Sequence, residues 1–289
     1  MDGSTPQLSV VAPVWNELEH TRRFVESVRA HTDVAHELIL VDNGSEAETA
    51  AYVDEAGDVV VRNDGNRGFA VAMNQGLDRA RGAYVAFCNN DVVVPAGWAG
   101  TLVAHLERER VGIVVPAVTS ALRKRNVRDT PGDTVETLDP FESPPAAVVY
   151  VLRTETARAL GGFSEEYEIV SGEDTDLAFT VWVNGLDFAY DSRVLVEHAT
   201  KSTSRNLGDW QGLWRRNRDA FVAKWTDPAL VVPRLPGVDA DAFAYRLAVA
   251  RSVAGWMGSY WSSRDKVKEL RQRAAPPSLV SRARRRLRR

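Results

Sequence analysis

Short apolar runs alternate with segments of helical period in the first third of the chain, and this alternation restricts the fold more than any other feature. The apolar runs lie within residues 8–15, 37–45, 58–64 and 83–91. Between them, apolar residues recur near every 3.6 positions, as in helices with one buried face. Continuous apolar strands that alternate with helices predict an α/β fold with a mostly parallel sheet. In such sheets, ligands bind at the carboxyl ends of the strands.

The second half of the chain continues this pattern less regularly. Residues 112–118 predict a strand, and residues 119–145, rich in Pro, Arg and Asp, predict a long loop or hairpin. An amphipathic helix is expected from about Asp174, and a strand that ends near His198. Between residues 239 and 272, apolar spacings of three and four predict a helix with a broad apolar face. This apolar stripe consists of Phe243, Leu247, Ala250, Ala254, Met257 and Trp261.

Composition narrows the class of protein. Of 289 residues, 44% are hydrophobic and 26% are charged, which is ordinary for a globular chain. The single cysteine, Cys88, lies inside an apolar run, so no internal disulfide can form and a cytoplasmic protein is expected. No apolar run reaches about 18 residues, and no apolar segment follows a basic start. We therefore expect neither a membrane-spanning helix nor a signal peptide.

Basic residues concentrate at the end of the chain. Residues 264–289 hold 11 Lys and Arg against 2 Asp and Glu, a net charge of +9 that leaves −12 for residues 1–263. Together with the apolar stripe, this tail predicts peripheral docking on an anionic membrane. The alternative is that the stripe packs on the rest of the chain or on a second subunit of a homodimer. No nucleic-acid partner is expected, because no RNA- or DNA-binding motif accompanies the tail.

Two polar clusters follow early strands. Asp42 ends the second apolar run, where a carboxylate can accept hydrogen bonds from a base or ribose, although a turn or helix N-cap explains it equally well. Asn66, Arg67 and Gly68 precede a helix, and its free amides with the arginine would bind phosphate. An exposed arginine in a glycine-rich turn is the equally weighted alternative.

The fourth apolar run ends on Asn89-Asn90-Asp91 and is followed by Pro95. A strand-end aspartate can present its carboxylate to a divalent cation that bridges a diphosphate, because hard cations prefer oxygen ligands. The alternative is an ordinary Asn-Asp turn. His198, at the end of a later strand, is either a neutral imidazole ligand or a core histidine, and the residues alone favour the core histidine.

Adjacent acids follow a glycine in the sequence GEDTDLAF. Glu173 and Asp174 stand at the start of a predicted helix, with Asp176 two residues further on. Acids at a helix start are often caps or dipole partners. An adjacent pair also allows one carboxylate to act as a general base while the other caps or orients it.

The order of these pieces resembles glycosyltransferase family 2, the inverting nucleotide-sugar enzymes with the GT-A fold. The motifs that carry the resemblance are SVVAPVWNE, LILVDNGS, NRGFAVAMNQGLDRARGAYVAFCNND and GGFSEEYEIVSGEDTDL. They lie within about residues 7–225. The resemblance implies a GT-A domain over residues 1–225, followed by a C-terminal helical extension with a basic tail over residues 226–289.

The resemblance also assigns roles to residues. Asp174 matches the catalytic base and Glu173 its neighbour, while Asp91 and His198 match ligands of a divalent cation, Mg²⁺ or Mn²⁺. The implied contacts of the nucleotide sugar are Pro13, Glu17, Asp42, Asn66, Arg67, Gly68, Asn74 and Asn90. The implied reaction transfers one sugar from a UDP- or dTDP-linked donor to an acceptor hydroxyl, with a lipid-linked acceptor as one option. Such reactions serve the synthesis of glycans, cell-surface polysaccharides or glycosylated metabolites.

Departures from the family pattern define the alternatives. Asn89 and Asn90 replace the earlier acid of the metal motif, and Thr180 stands where related sequences often carry arginine. A catalytically inactive nucleotide-sugar-binding or scaffold protein is therefore the alternative function. A dinucleotide-dependent oxidoreductase is disfavoured, because no G-x-G-x-x-G follows the first strand.

Overall fold

A computed structural model describes residues 5–119, 126–138, 141, 148–169, 171–199, 209–227 and 229–256. Its strands are β1 (Leu8–Val14), β2 (His36–Asp42), β3 (Val59–Arg62), β4 (Tyr84–Cys88), β5 (Val92–Val93), β6 (Val111–Val118), β7 (Val135–Leu138), β8 (Val149–Arg153) and β9 (Asp187–His198). Its α-helices are α1 (Leu18–His31), α2 (Ala47–Ala56), α3 (Phe69–Arg79), α4 (Trp98–Val103), α5 (Thr154–Ala159), α6 (Glu173–Val183), α7 (Trp210–Thr226) and α8 (Ala240–Trp256). A 3₁₀ helix spans Ala104–Glu107.

The strands form one sheet in the order β3-β2-β1-β4-β8-β6-β9-β5. Strands β3, β2, β1 and β4 pair in parallel, which follows from the helical crossovers between them. Strands β1, β2 and β4 are buried on both faces, as the continuous apolar runs predict, whereas β3 at the edge of the sheet is only partly buried. The α/β fold is therefore confirmed, and the carboxyl ends of these strands meet at one edge of the sheet.

Antiparallel pairing enters the sheet in its second half. Strand β8 inserts antiparallel between β4 and β6, so that it begins at the edge where β4 ends. Strands β6 and β9 are parallel, and β9 also pairs antiparallel with β5 and β7. As a result, the end of β9 returns to the edge formed by the ends of β1, β2 and β4. Within the segment predicted as a long loop or hairpin, the described part contributes β7.

Helix α6 is buried on nearly every face, which corrects the expectation of an amphipathic helix. Leu177, Ala178 and Val181 pack on the sheet, whereas Phe179 and Val183 join a second cluster with α7 and α8. The helix lacks a solvent face because it is enclosed between these layers. None of the helices in the described ranges is long and apolar enough to cross a lipid bilayer.

The first half of the C-terminal apolar stripe lies inside this second cluster. Phe243, Leu247, Ala250 and Ala254 of α8 are buried with residues of α6 and α7. Apolar burial of this kind stabilises a helix that has little other support. This part of the stripe therefore packs on the rest of the chain, while Met257 and Trp261 lie outside the described residues.

Candidate active site

Asp42 lies at the carboxyl end of β2 and is fully buried, with 0% of its surface exposed. Its Oδ2 accepts a hydrogen bond from Arg62 Nη1 at 2.5 Å, and its Oδ1 accepts one from the backbone amide of Ser45 at 2.9 Å. Arg62 also reaches Asp54 on α2, at 2.7 Å. Two donors therefore hold the carboxylate inside the protein, where it ties the ends of β2 and β3 to α2.

A network of amide side chains surrounds this strand end. Asn63 and Gln75 exchange two hydrogen bonds of 2.8 and 2.9 Å, and Asn63 also donates to Asn43 at 2.8 Å. Asn43 then donates to the carbonyl of Gly68 at 3.2 Å. Because every link joins an amide donor to a carbonyl acceptor, the network fixes the loop before α3 without a charged group.

Two backbone amides at the start of α3, where the sequence allows either an anion site or an ordinary turn, are hydrogen-bonded within the protein. Asn66 Oδ1 accepts the Gly68 amide at 2.9 Å, and the carbonyl of Ile169 accepts the Phe69 amide at 2.7 Å. These two amides therefore already have partners within the protein. Gly68 has a φ of 90°, and a Cβ there would approach the Ile169 Cα to 2.9 Å. Only glycine allows this close contact between the α3 loop and the segment that leads to the acid pair.

Asn74 is likewise held by the protein. It lies on α3, donates to the Phe163 carbonyl and to Glu165, and accepts the Phe163 amide at 2.9 Å. These contacts fasten α3 to the Gly-Gly-Phe turn after α5. Its predicted contact with the nucleotide sugar stays a prediction.

The remaining donor-side candidates lie along the same edge of the sheet. Pro13 is half-buried near the end of β1, and Glu17 precedes α1 with a φ of 55°. Arg67 is exposed in the loop before α3. Asn90 is buried and donates to Thr21 Oγ1 on α1 at 3.0 Å, so its amide joins the tip of β4 to that helix.

Asp91 and His198, which are far apart in sequence, meet at the sheet edge. Asp91 Oδ1 lies 3.3 Å from His198 Nε2, and both side chains are about nine-tenths buried. The pairing of Val92 with His198 brings them together, as does the hydrogen bond from the Ala199 amide to the Asp91 carbonyl. Both residues line a cleft of about 270 Å³ that His20 and Glu197 also border.

The chemistry of this pair fits a divalent cation. A carboxylate oxygen and an imidazole nitrogen are both accepted ligands, and they leave coordination positions for phosphate oxygens and water. His198 Nδ1 is buried and has no hydrogen-bond partner among the described residues. Within that part of the chain, no cluster of three or more His, Cys, Asp or Glu side chains is arranged to hold a metal. Among the described residues, Asp91 and His198 are therefore the two candidate ligands, and oxygen atoms of a bound diphosphate would add to them.

The acid pair begins α6. Asp174 is half-buried, and its Oδ1 accepts the amide of the next residue, Thr175, at 2.7 Å. Glu173 is only 5% exposed, and its Oε2 has no hydrogen-bond partner in the described structure. Burial, together with the neighbouring charge of Asp174, raises the pKa of Glu173 to about 8. Glu173 therefore carries a proton at neutral pH, whereas Asp174 is the accessible member of the pair.

The loop before the acid pair has an unusual backbone. Ile169, Ser171 and Gly172 have φ values of 53°, 87° and 109°. A β-branched residue rarely adopts a positive φ, and each such residue costs on the order of 1 to 3 kcal/mol. The contact of Ile169 with Gly68 and Phe69 holds the strained conformation in place. The start of α3 therefore contacts the loop that precedes α6.

Strand β8 links the acid pair to the Asp91 cluster. Tyr150 pairs with Phe87 of β4, and the charges of Asp174 and Glu173 add to burial in raising the pKa of its phenol. Two residues earlier, the Val148 carbonyl accepts the Asn89 amide at 3.0 Å. The acid pair and the Asn89–Asp91 segment thus flank the beginning of the same strand.

The buried hydrogen-bond network around Asp176 was not predicted from the sequence. Its Oδ1 accepts hydrogen bonds from Tyr167 at 2.9 Å and from Trp225 Nε1 at 2.8 Å. Its Oδ2 accepts one from Lys224 Nζ at 3.0 Å. The partners on α7 lie 48 and 49 residues along the chain, so local sequence gave little sign of them. The available signal was an acid directly before the apolar residues of α6.

The family model for glycosyl transferase family 2 matches residues 9–156. The pre-mycofactocin glycosyltransferase of Mycobacterium tuberculosis is 30% identical over 218 residues, which cover 70% of this chain and 44% of that protein. The chain thus spans less than half the length of this curated relative.

Solved structures give the same architecture. A crystal structure of GalNAc-T7 with UDP, GalNAc and Mn²⁺ matches with a TM-score of 0.60 and 18% identity, over 94% of this chain and 55% of that one. S. aureus TarS 1–349 in complex with UDP-GlcNAc matches with a TM-score of 0.64 and 12% identity, over 93% of this chain and 82% of that one.

The sheet, its crossovers and the polar edge define a protein of the GT-A fold. The chain belongs to glycosyl transferase family 2.

Proposed function

We propose that this chain is an inverting glycosyltransferase that moves one sugar from a nucleoside diphosphate sugar, UDP- or dTDP-linked, to an acceptor hydroxyl. Two observations support the proposal: Asp91 contacts His198 just beyond β4, and the acid pair that begins α6 interacts electrostatically with Tyr150 of β8, the strand beside β4. A base for the acceptor and ligands for a diphosphate-bound cation are the two chemical elements that such a transfer needs.

Asp174 is the proposed general base. Its carboxylate is half-buried at the start of α6, where it can accept the proton of an acceptor hydroxyl. That hydroxyl attacks the anomeric carbon from the face opposite the leaving diphosphate, which inverts the configuration. Burial and the adjacent acid favour the protonated form of Glu173, which reduces the negative charge of the pair.

Asp91 and His198 are the proposed ligands of Mg²⁺ or Mn²⁺. A divalent cation bound there would neutralise charge on the departing diphosphate. Asn90, held by Thr21, keeps the tip of β4 in position for this role.

The residues near the ends of β1, β2 and β3 are proposed to bind the donor in two ways. Arg67 is exposed beside the α3 loop and is proposed to contact phosphate directly. Asp42, Asn66, Gly68 and Asn74 have internal partners and are proposed to shape the donor pocket, with Pro13 and Glu17 along the β1 end.

The C-terminal region is proposed to be a helical extension from residue 226, after a catalytic domain over residues 1–225. The burial of the first half of its apolar stripe against α6 and α7 favours packing on the catalytic domain for that half. For the basic tail, docking on an anionic membrane at the cytoplasmic face, near a lipid-linked acceptor, remains our proposal. A homodimer is the other proposed use of the extension.

The Asp174→Asn variant tests the proposed function. Loss of a general base typically lowers the rate by about 10² to 10⁴-fold, so we expect turnover to fall that far while nucleotide binding survives. Sugar transfer and donor hydrolysis would be assayed across common nucleotide sugars, and UDP, dTDP and GDP binding by calorimetry with and without Mn²⁺. Asp219→Asn, at an exposed position of α7, is the matched control and should behave as wild type.

Two results would contradict the proposal. Near-normal turnover of Asp174→Asn would remove the base assignment. Tight nucleotide binding by the wild-type protein without turnover of any donor, in any cation, would instead support the inactive nucleotide-sugar-binding or scaffold protein.

A further inference from the structure

Three carboxyl groups crowd the first turn of α6. Glu173 and Asp174 are adjacent, and Asp176 lies one helical turn beyond Glu173. Like charges at this spacing repel each other, and burial increases the repulsion because few water molecules screen it. The described residues give this cluster one buried cation, Lys224, which lies 3.0 Å from Asp176.

The partners of Asp176 hold it in a single position. Tyr167 comes from the strained loop before α6, while Lys224 and Trp225 come from α7. Lys224 also donates to Ser164 Oγ at 2.9 Å and lies 3.8 Å from Glu166. Asp176 therefore fastens the start of α6 to two other elements through charge-assisted hydrogen bonds.

Glu173 experiences the charge of this cluster directly. Asp174 and Asp176 face it from its own helix, Tyr150 from β8 and Tyr167 from the preceding loop. The backbone amides of Ser171 and Glu173 also donate toward its carboxyl group. Its Oε2 lacks a hydrogen-bond partner in the described structure, so no specific donor stabilises the ionised form at that oxygen.

We propose that Asp176 and Lys224 are positioning residues for the acid pair: together they fix the first turn of α6 and set the electrostatic field around Glu173. The two residues act in opposite directions. The charge of Asp176 favours the protonated form of Glu173, and Lys224 limits that effect by neutralising Asp176. Neither residue touches the reacting atoms.

The test is to remove each charge separately and follow the titration of Glu173. Protein labelled with ¹³C at glutamate carboxyl groups gives a signal for Glu173, identified by its loss in Glu173→Gln. Asp176→Asn removes the negative charge and leaves Lys224, so the midpoint should fall below that of the wild-type protein. Lys224→Met leaves Asp176 uncompensated, so the midpoint should rise by about one pH unit.

Two further variants distinguish an electrostatic effect on Glu173 from a general disturbance of the fold. Lys224→Arg keeps the charge and should keep the wild-type midpoint. The double variant Asp176→Asn/Lys224→Met removes both charges and should return the midpoint toward that of wild type. If Lys224→Met does not fold, as judged by near-ultraviolet circular dichroism, Asp176→Asn and the double variant decide between the outcomes.

The inference rests on the proposed function only where it concerns catalysis, because the Glu173 titration is measured without turnover. If the protein is also active, the alkaline limb of its kcat profile should move with the Glu173 midpoint. Midpoints that move in the same direction in both single variants would overturn the proposal, and so would unchanged midpoints in folded variants. Absence of turnover alone would count against the proposed function and not against this inference.

Discussion

Two buried carboxyl groups at the same sheet edge have opposite surroundings. Asp42, at the end of β2, accepts hydrogen bonds from Arg62 and from the Ser45 amide. Glu173, at the start of α6, has an oxygen without a partner in the described structure and a second acid beside it. Both are almost completely removed from solvent. One is thus paired with a cation, and the other is left to hold a proton.

This difference distinguishes residues that stabilise the sheet edge from residues that are candidates for catalysis. Buried polar groups are normally hydrogen-bonded, and unsatisfied groups and strained backbone concentrate where a protein acts on its ligands. The β2–β3 rim follows the first rule, with its carboxylate and amides joined to one another. The start of α6 combines the exception with positive φ at Ile169 and Ser171. We therefore expect changes at the rim to lower stability, and changes at α6 to alter pH dependence and rate.

The largest expected effect is a pH dependence of stability that originates at Glu173. The unfolded chain loses this proton near pH 4.5, whereas the folded protein keeps it to about pH 8. Between these values the folded state binds the extra proton, so its stability falls as pH rises through that window. Urea unfolding at pH 5 and pH 8 should give a decrease of a few kcal/mol, which Glu173→Gln should largely abolish.

A control at an exposed acid separates this effect from other titrations. Glu197→Gln replaces a side chain that is mostly in solvent, and it should keep the wild-type pH dependence. Asp58 and Asp191 do not contribute in this window: burial acts to raise the pKa of both carboxyl groups, but hydrogen bonds from arginines outweigh it, so the pKa of each is lowered. Their stabilisation is lost only as pH falls below the usual aspartate range. An equal decrease in Glu173→Gln and wild type would mean that Glu173 is ionised in the folded state.

The second-largest expected effect is a loss of stability when the paired carboxylate of Asp42 is removed. Asp42→Ala removes the acceptor of the Ser45 amide and the buried acceptor of Arg62, which keeps its exposed partner Asp54, and we expect a loss of about 2 to 3 kcal/mol in the free energy of unfolding. Asp54→Ala removes an exposed partner of the same arginine and should cost less than about 1 kcal/mol. Urea titrations at pH 7 would measure both. Similar losses for the two variants would show that burial of Asp42 adds nothing to its ion pair.

The strands at this edge could be predicted from the sequence more easily than the contacts between them. The apolar runs predicted β1, β2 and β4, because strands buried on both faces have a continuous apolar pattern. Periodicity also predicted α6, but its burial on nearly all faces depends on α7 and α8, which are distant in sequence. The insertion of β8 between β4 and β6 is a non-local pairing for the same reason.

The residues of the site likewise divide into those whose positions depend on local sequence and those whose positions depend on distant contacts. The positions of Asp91 and Glu173 beside strand and helix ends could be predicted, because turn and cap chemistry is local. The approach of His198 to Asp91 depends on the pairing of β5 with β9, and the contact of Lys224 with Asp176 depends on the packing of α7. These contacts join residues that no local pattern connects.

The smallest effect tests whether the rim is held by its ion pair or by its amides. Gln75→Ala removes the two hydrogen bonds with Asn63, but Asn63 keeps its bond to Asn43, so we expect a loss of about 1 kcal/mol. Asp78→Ala, at an exposed position of the same helix, should change the stability by less than about 0.5 kcal/mol and serves as the control. Urea unfolding at pH 7 measures both. If Gln75→Ala lowers the free energy of unfolding more than Asp42→Ala does, the neutral amide network and not the buried charge holds this edge together. The contrast with Glu173 would then be one of hydrogen bonding alone, because the ion pair of Asp42 would no longer explain the stability of the β2–β3 end.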